Sequence, residues 1–427
     1  MINETNMHCY WWDEASPFPA PTTTWQSHSD IVIIGCGFTG LSAALTLARA
    51  GRDVVIIEKG LIGEGASTRN GGITSGNIRL TEAQLAKKFG REQAQLFTDE
   101  AVTARADLVH FIKNNNIDCD YHPSGRLVGL STSFSTSKME QQFCEYERRY
   151  GISTKLVTKE EIADFTSSLK YFGGVYRPDI GGIHPAKLLK EMVRLALEAG
   201  VKIFSNNQVL NIKSFKTSFI VETALGTITA EHLVSATNGY TDRAQPWLQR
   251  RLIPVISEII ATEKLGANRV KALMPRLNMF GEAKQLGFYY RPSPDGERIL
   301  LGGRRMHKNS ATAKQRLQNG LFAIFPELAE TKIEYYWHGN VAFPVDQLPK
   351  LTIHDGIIYP CGFCGSGTVW ARWLGQKAAF MILGEQATSV FEYLPMKTLP
   401  LYYGDPWFLP LAIHYYNLRD KLSASIK

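Results

Sequence analysis

The chain has 427 residues and a formal net charge of +7, with 44% hydrophobic and 20% charged residues. This length accommodates two or more domains, and the composition is that of a folded globular protein, which excludes a disordered chain. The basic residues are scattered, and the longest basic clusters are only Arg250-Arg251 and Arg304-Arg305. We therefore expect no nucleic-acid partner and assign the charge to a solvated surface or to recognition of an anionic substrate.

Six cysteines are too few for a disulfide scaffold in a chain of this length, which favours a reducing compartment. The first residues lack the basic flank and apolar run of a signal peptide. The sequence also contains no apolar stretch long enough to span a bilayer. We predict a cytoplasmic protein.

Residues 1–29 are rich in Pro, Thr and Ser and predict an irregular arm whose Tyr10-Trp11-Trp12 cluster packs onto the body. From Asp30 the pattern changes to an apolar strand, a glycine turn, an alanine-rich helix over residues 41–50 and a second apolar strand over residues 54–57. This succession predicts a βαβ unit.

The rest of the chain predicts two groups of elements. Helices are expected over residues 82–117, 136–150, 185–199 and 311–323 and in a segment ending near 383; strands are expected over 121–130, 202–204, 209–215, 219–223, 232–235, 254–261, 287–290, 298–301 and 357–359. Because segments of the second sheet fall between segments of the first, we predict two interleaved domains rather than two consecutive ones.

An aliphatic strand ends at Gly35, and Gly37, Gly40 and Glu58 follow at spacings typical of dinucleotide-binding folds. Gly35 permits a tight turn, Gly37 lets the backbone approach a pyrophosphate, and Gly40 lets helix and strand pack closely. The helix N-terminus offers amide donors to the phosphates, and Glu58 can accept hydrogen bonds from ribose hydroxyls. Because a carboxylate repels a 2′-phosphate, the motif disfavours NADP.

A second glycine-rich segment, residues 63–72, follows Glu58 closely and contains Gly65-Ala66-Ser67-Thr68-Arg69-Asn70-Gly71-Gly72. Its hydroxyl groups and its arginine suit contact along a long cofactor. An ordinary surface loop explains the same composition.

Together, the first motif, the segment over residues 65–72 and a Gly-x-x-Gly-x-Gly segment over residues 362–367 resemble the D-amino-acid oxidase family of FAD-dependent oxidoreductases. Within that family, the Tyr-Trp arm, the loop and the Pro-Trp…Arg-Asp tail are most similar to gamma-glutamylputrescine oxidase-like proteins. The resemblance implies a mixed α/β fold, in which a Rossmann-like FAD-binding domain is interleaved with a substrate domain built on a largely antiparallel sheet. We expect the FAD-binding domain over residues 1–110 (with the arm), 166–245 and 336–390, the substrate domain over 111–165 and 246–335, and a C-terminal tail over 391–427.

The resemblance also implies which residues hold the cofactor. Val209 corresponds to the residue whose backbone meets the adenine, and residues 236–239 correspond to a turn beside the cofactor; on their own these residues indicate only a core valine and a turn. The full predicted set is Gly35, Gly37, Phe38, Thr39, Gly40, Glu58, Lys59, Gly65, Ala66, Ser67, Arg69, Asn70, Gly71, Gly72, Val209, Ala236, Thr237, Asn238, Gly239, Gly362, Cys364, Gly365, Ser366, Gly367 and Thr368.

Residues 361–368 join a predicted strand to a predicted helix, so the amides at the helix start would face the flavin edge where negative charge accumulates on reduction. Cys361 and Cys364 form a C-x-x-C pair there. We favour simple loop residues; a redox pair, half of a zinc site and a covalent flavin link stay open. A second C-x-x-C is absent, and residues 345–350, where sarcosine oxidases of this family are expected to carry their flavin-linking cysteine, contain none. We therefore expect no metal and noncovalent FAD.

Candidate catalytic residues follow from positions beside the flavin loops or in the second predicted sheet. They are Tyr290, Arg304, His338 and Trp370, with Tyr289 and Trp337 as further pocket candidates. Arg304 suits bidentate pairing with a substrate carboxylate. The alternative for each is structural, since aromatic residues in such strands usually fill the core. A protein base is not required, because the cofactor carries the difficult electronic step.

The leading functional hypothesis is oxidation of a C–N bond in an amine or amino acid, with hydride passing to FAD, hydrolysis of the imine, and O2 as the acceptor that yields H2O2. One alternative is a dehydrogenase of the same fold that passes electrons to a quinone or carrier. Another is a noncatalytic flavin-binding protein. The aromatic tail over residues 394–422 suits a peripheral membrane contact or packing on the domain, and we expect packing.

Overall fold

The computed structural model describes residues 8–130, 147, 152–284, 286–307, 309–385 and 389–425, with side chains as far as Leu418. Its strands in chain order are β1 (His28–Ile34), β2 (Val54–Ile57), β3 (Arg126–Gly129), β4 (Lys155–Val157), β5 (Gly174–Arg177), β6 (Lys202–Phe204), β7 (Val209–Ser214), β8 (Phe219–Thr223), β9 (Gly226–Ser235), β10 (Ile253–Thr262), β11 (Met279–Glu282), β12 (Tyr289–Pro292), β13 (Ile299–Arg304), β14 (Ile333–Phe343), β15 (Lys350–His354) and β16 (Ile357–Cys361). These strands form two eight-stranded sheets.

The described helices surround these sheets. They are α1 (Phe38–Arg49), α2 (Ala66–Arg69), α3 (Glu82–Phe89), α4 (Arg91–Asn114), α5 (Pro185–Glu198), α6 (Pro246–Gln249), α7 (Ala267–Leu273), α8 (Ser310–Ile324), α9 (Gly367–Leu383) and α10 (Leu409–Ser425). The predicted helical region over residues 82–117 is two helices, because Gly90 at their junction adopts a φ of +89°. The predicted helix over residues 136–150 lies outside the described residues, apart from residue 147.

The first sheet has the strand order β15-β16-β9-β1-β2-β6, with β7 and β8 forming an antiparallel extension of β9. β1 pairs in parallel with β2 and β9, and β2 pairs in parallel with β6. Ile31, Val32 and Ile33 are all fully buried, because helices and the β7–β8 extension cover opposite faces of β1. The predicted βαβ unit is confirmed as β1, α1 and β2.

The second sheet has the order β14-β10-β13-β12-β11-β3-β5-β4. All its described pairings are antiparallel except β3 with β11, which matches the predicted largely antiparallel sheet. Its core packs against α7 and α8 through residues such as Ile260, Leu301 and Leu321. Because β3 to β5 and β10 to β14 lie between segments of the first sheet, the two sheets interleave along the chain. All of β5 lies beyond residue 166 and most of β14 lies beyond residue 336, so these two strands of the second sheet fall within segments expected for the FAD-binding domain.

The N-terminal half of α1 packs closely against the middle of α9. An added Cβ on Gly375 of α9 would lie 2.3 Å from the Thr39 carbonyl oxygen of α1, so only glycine allows this approach. Ser42 Oγ donates to the Arg372 carbonyl at 2.7 Å and ties the same two helices. The packing therefore brings the first and third glycine-rich segments to one place.

The C-terminal tail packs on the body only in part. Tyr402 is buried and its hydroxyl donates to the Leu252 carbonyl, as the packing prediction requires. Leu401, Tyr403 and Leu411, in contrast, are 65–77% exposed. Within the described residues, helices that are both long and apolar enough to cross a bilayer are absent.

Candidate cofactor and substrate site

The turn between β1 and α1 depends on glycine at two positions. Gly35 adopts a φ of +103°, and an added Cβ there would approach the Ala236 carbonyl oxygen at 3.1 Å. An added Cβ on Gly40 would lie 2.0 Å from the Gly35 carbonyl oxygen. The chain therefore turns tightly and starts α1 directly against the strand end, so the first amides of the helix lie at the carboxyl end of β1.

Glu58 follows β2 at the same edge of the sheet. Its Oε2 accepts a hydrogen bond from the Cys36 amide at 2.7 Å, and its Oε1 accepts one from the Gly60 amide at 3.3 Å. Burial raises the pKa of the Glu58 carboxyl above its ordinary value, although the amide hydrogen bonds act in the opposite direction. The carboxylate is thus fixed at the position where the motif predicts a ribose contact.

A cavity of about 520 Å³ opens at this edge, a volume within the range of small-molecule and cofactor sites. Nineteen of the predicted cofactor residues line it: Gly35, Gly37, Phe38, Thr39, Glu58, Lys59, Gly65, Ala66, Ser67, Asn70, Val209, Ala236, Thr237, Asn238, Gly239, Cys364, Gly365, Gly367 and Thr368. Five stretches of the chain, within residues 35–39, 58–70, 209, 236–239 and 364–368, therefore meet around one space.

The geometry of this cavity fits an extended dinucleotide. Its lining runs from the β1–α1 turn and Val209 to the start of α9. A Cβ on Gly65 or Gly365 would find no described protein atom within 4 Å, so the backbone at both positions leaves open space beside the cavity. Ser67 Oγ accepts a hydrogen bond from the Phe38 amide at 3.0 Å, so the loop over residues 63–72 contacts the first amide of α1.

The loop over residues 63–72 is held from behind by tryptophans. Trp11 Nε1 donates to the Asn70 carbonyl at 2.8 Å, and Trp337 Nε1 donates to the Arg69 carbonyl at 2.9 Å. Trp12 Nε1 donates to Thr68 Oγ1 at 3.0 Å. The prediction that the N-terminal aromatic cluster packs onto the body is confirmed, and it contacts the loop over residues 63–72.

Six predicted cofactor residues lie outside the larger cavity. Arg69, Gly71 and Ser366 line a neighbouring cavity, described below. Gly40, Gly72 and Gly362 line neither cavity: Gly40 permits the helix packing described above, the Gly72 carbonyl accepts from Arg291 Nη1 at 2.7 Å, and the Gly362 amide donates to Asn238 Oδ1 at 2.8 Å. These three glycines shape the walls rather than face the space.

Both cysteines of the C-x-x-C pair are buried free thiols. Burial raises the pKa of Cys361 to about 12 and raises that of Cys364 above its usual range. Because the thiolate is the reactive form, these environments favour inert loop residues over a redox pair. Cys364 lines both cavities, at the point where they meet.

The second cavity has a volume of about 250 Å³ and lies between the first cavity and the second sheet. The two cavities share lining residues that include Asn70, Asn340, Cys364, Gly365 and Thr368. The remaining walls come mainly from β3, β10, β11, β12, β13 and β14 and from residues 73–79. A molecule in the smaller cavity would therefore lie next to the α9 end of the larger one.

The smaller cavity is rich in positive charge. Its basic lining residues are Arg69, Arg79, Arg126, Lys284 and Arg304. The acidic member of the lining, Glu282, forms an ion pair with Lys170 at 2.6 Å and accepts from the Phe288 amide at 3.0 Å. The electrostatic character of this space favours an anionic ligand.

Only one of the four predicted catalytic residues lines a cavity. Arg304 lies in the wall of the smaller cavity, with its guanidinium 5.1 Å from the centre of the Phe343 ring. Tyr290 is fully buried and stacks on Phe280 at 4.7 Å, while Trp370 is fully buried and donates to the Asn77 carbonyl at 3.2 Å. Both belong to the hydrophobic core instead of the cavity walls.

His338 and Trp337 also stay outside the cavity walls. The His338 carbonyl accepts from Arg69 Nη1 at 3.2 Å, which gives this residue a contact behind the loop. Tyr289, in contrast, lines the smaller cavity, and its hydroxyl lies 3.3 Å from Ser257 Oγ. Neighbouring residues of a strand point to opposite faces, so Tyr289 and Tyr290 cannot both face the cavity.

Sequence reasoning missed Asn77, Arg79, Arg126 and Ser257, which all line the smaller cavity. Arg79 and Arg126 are single charges in unremarkable surroundings, and their spacing in the sequence carries no motif. Only the pairing of β3 with β11 and the path of residues 73–79 bring them to the site.

Comparison with known proteins identifies a family model and relatives that match most of the chain. The profile of the family described as FAD dependent oxidoreductase (DAO) matches residues 30–381. Gamma-glutamylputrescine oxidoreductase from Escherichia coli (strain K12) is 30% identical over 403 residues, which cover 92% of this chain and 93% of that protein. The probable oxidoreductase OrdL from Rhizobium meliloti (strain 1021) is 30% identical over 92% of each chain.

The fold is also similar to that of a solved structure. The crystal structure of glycine oxidase from Geobacillus kaustophilus superposes with a TM-score of 0.72 over 88% of this chain and 99% of that one, at 19% identity. The predicted resemblance, the mixed α/β fold and the FAD cofactor are thus confirmed, and the protein is an oxidoreductase rather than a noncatalytic flavin-binding protein. The chain belongs to the FAD dependent oxidoreductase (DAO) family.

Proposed function

We propose that the protein oxidises a carbon–nitrogen bond of an amine or amino acid that carries a carboxylate, with O2 as the final acceptor. The observation that carries the proposal is the junction of the two cavities along Asn70, Cys364, Gly365 and Thr368, with basic side chains on the substrate side. In the relatives, gamma-glutamylputrescine oxidoreductase and glycine oxidase are named for nitrogen-containing substrates. In this reaction the substrate carbon would lose a hydride, which is one hydrogen with two electrons. The nitrogen bonded to that carbon would lose one proton.

When bound, FAD supplies a two-electron acceptor for hydride. The resulting imine takes up water to release a carbonyl compound and an amine, and O2 takes two electrons and two protons to form H2O2. In this proposal the chain's own contribution is to bind the cofactor in the larger cavity and to hold the substrate in the smaller one, with the reacting carbon at their junction.

The start of α9 is the anion-stabilising element of the proposed site. α9 is 17 residues long and has no acidic residue in its first turn, and Gly365, Gly367 and Thr368 at its start line the larger cavity. Amides and a helix dipole directed at that space favour negative charge there. Thr368 Oγ1 also donates to Asn70 Oδ1 at 3.3 Å, which joins the helix start to the residue 63–72 loop.

Arg304 is the proposed carboxylate partner, since it lines the smaller cavity beside Phe343. Tyr289 is the proposed hydrogen-bond donor: burial raises its pKa to about 12, so its hydroxyl stays protonated at neutral pH. Neither residue is a base, which agrees with a reaction that starts from the neutral amine and needs no proton acceptor on the protein.

The test is an anaerobic screen of the purified holoenzyme for loss of flavin absorbance. γ-Glutamyl amines, N-methyl amino acids, D-amino acids and free polyamines are compared at equal concentrations. We expect bleaching by at least one carboxylate-bearing class and little by free polyamines, which carry no carboxylate. Bleaching by polyamines alone would overturn the proposed role of the basic cavity.

A dehydrogenase that uses a quinone or carrier is the second candidate. The observation in its favour is the exposure of apolar side chains on the tail, where Leu401 is 77% and Trp407 is 57% exposed. The reduced enzyme is mixed with air-saturated buffer or, without O2, with a soluble quinone. Stoichiometric peroxide in air supports the oxidase; slow reaction with O2 and fast reaction with the quinone supports the dehydrogenase.

A further inference from the structure

Arg126 has an unusual environment in the smaller cavity. It lies on β3, where its register partner on the neighbouring strand β5 is another arginine, Arg177. Arg177 is engaged by Asp179 through hydrogen bonds of 2.8 and 2.6 Å. Among the described residues, in contrast, a carboxylate partner for Arg126 is lacking, and its Nε is enclosed with no hydrogen-bond acceptor.

This arrangement is unfavourable for the protein alone. Burial, and then the like charge of Arg177, lower the pKa of Arg126 to about 10. A charge that is partly removed from water needs a counter-charge, and like charges on directly opposite strand positions destabilise the pair. The half-buried side chain has its open side towards the smaller cavity, where an anion would supply the missing partner.

Arg126 also has different neighbours from the other cavity arginines. The guanidinium groups of Arg79 and Arg304 lie 6.0 and 5.1 Å from the centre of one ring, Phe343. Arg126 instead lies against β11, where an added Cβ on Gly281 would approach its Nη2. The cavity wall therefore carries positive charge at two distinct positions.

A neutral hydrogen-bonding group accompanies Arg126. When the Asn77 amide is oriented so that its oxygen faces the guanidinium, that oxygen accepts from Arg126 Nη1 at 3.3 Å, and its nitrogen donates to the Ser75 carbonyl at 3.3 Å. Asn77 thus orients the guanidinium without neutralising it. The charge stays available for a ligand.

We propose that Arg126 forms a second anion subsite in the smaller cavity, so that the preferred substrates are amines with two carboxylates. The inference rests on the proposed function, in which Arg304 holds one carboxylate and the C–N bond lies at the cavity junction. Arg126 holds the other carboxylate on the β3–β11 side. The substrate class is an N-carboxyalkyl amino acid or an acidic amino acid.

The experiment uses pairs of compounds that differ by one carboxylate. Sarcosine is compared with iminodiacetate, and each enantiomer of 2-aminobutyrate with the same enantiomer of glutamate, in anaerobic flavin reduction by the holoenzyme. Butyrate and glutarate, which have no amine, are titrated separately and followed by the change in the flavin absorbance spectrum. We expect at least a tenfold lower dissociation constant for the dicarboxylate in the reactive pair and in the butyrate–glutarate pair.

Three variants assign the effect to Arg126. In R126Q the ratio of the monocarboxylate to the dicarboxylate dissociation constant, which measures the advantage of the second carboxylate, falls below two. The dissociation constants of the monocarboxylates themselves change less than twofold. R126K retains part of the advantage because it keeps the charge but loses the bidentate geometry. R91Q, at an exposed arginine of α4 outside both cavities, is the matched control and keeps the full advantage.

Thermal unfolding separates this role from a structural one. Because R126Q removes a charge opposite Arg177, it should unfold at the same temperature as the parent or at a higher one. Equal binding of mono- and dicarboxylates by the parent, or an unfolding temperature of R126Q that is lowered by several degrees, overturns the subsite. If none of the amines bleaches the flavin, the proposed function fails, and the butyrate–glutarate titration still tests the subsite independently.

Discussion

Trp11 Nε1 donates a hydrogen bond to the Asn70 carbonyl at 2.8 Å, so the N-terminal arm holds the backbone of the loop over residues 63–72 from behind. Trp11 is fully buried, and its indole packs edge-on against His184 with ring centres 4.9 Å apart. On the other side of the loop, Asn70 faces both cavities. The arm therefore supports the proposed cofactor site, although none of its described residues lines either cavity.

The first prediction concerns this hydrogen bond. Trp11→Phe keeps most of the buried surface but leaves the Asn70 carbonyl without its donor, at a cost of about 1–3 kcal/mol. We expect weaker FAD binding, by about tenfold, measured by fluorescence titration of the apoprotein with FAD. Trp407→Phe is the control, because its indole donates to the Leu401 carbonyl on the exposed tail. Equal FAD affinity in Trp11→Phe and the parent would contradict the supporting role.

The second prediction concerns Glu58. Glu58→Gln removes a charged acceptor from the proposed ribose contact, and hydrogen bonds to charged groups contribute about 1.5–3 kcal/mol. The FAD dissociation constant should rise tenfold or more, and the exposed substitution Glu330→Gln should leave it unchanged. Because burial raises the pKa of Glu58, the parent's FAD affinity should decline as pH falls through that raised pKa, and Glu58→Gln should lack this decline.

The third prediction contrasts two glycines. Gly40→Ala places a methyl group 2.0 Å from the Gly35 carbonyl oxygen and should impair folding itself, seen as loss of soluble protein or a lower unfolding temperature. A Cβ at Gly65 meets no described protein atom within 4 Å, so we expect Gly65→Val to leave the apoprotein's unfolding temperature unchanged. Its side chain enters space beside the larger cavity, so FAD affinity should fall. Normal FAD binding by Gly65→Val would show that the cofactor does not pass this position.

The fourth prediction concerns Arg304. Arg304→Met removes the proposed carboxylate partner and should raise the concentration of a carboxylate-bearing amine required for half-maximal flavin reduction by tenfold to a hundredfold. A reactive amine without the carboxylate should be affected less than threefold. Arg243→Met, at an exposed arginine outside both cavities, is the control. Equal effects on both amines would assign Arg304 to protein stability instead of substrate binding.

The fifth prediction concerns His184, the fully buried N-cap of α5, whose Nδ1 accepts from the Lys187 amide at 3.2 Å. Burial lowers its pKa from 6.5 to about 4. Unfolding releases the imidazole to take up a proton, so its contribution is complete above pH 6.5 and is lost as pH falls towards 4, by at most about 3 kcal/mol. His184→Asn keeps a capping oxygen without a titrating group.

The denaturant concentration at the midpoint of unfolding is measured for His184→Asn and for the parent at several pH values between 7 and 4. The fall in the midpoint should be smaller in His184→Asn than in the parent. His110→Gln, at an exposed position on α4, should follow the parent curve. A parallel decline in the parent and His184→Asn would mean that other groups account for the acid sensitivity.

The sequence by itself determined the turn and the helix start of the proposed cofactor half of the site. Gly35, Gly40 and Glu58 act within one short βαβ unit, where local turns and helix starts depend on nearby residues, so their spacing could be interpreted without the rest of the chain. The resemblance then extended the set to Val209 and to the start of α9. Most of that set lines a single cavity.

The substrate half was decided by tertiary structure. Because side chains alternate along a strand, one of Tyr289 and Tyr290 faces the cavity and the other faces the core. The sequence does not indicate which of the two faces the cavity. Arg126 reaches the site only because β3 pairs with β11, a partner more than 150 positions away in the chain. A local pattern specifies a turn or a helix start, whereas a pocket assembled from distant strands is specified by the pairing and register that the whole chain adopts.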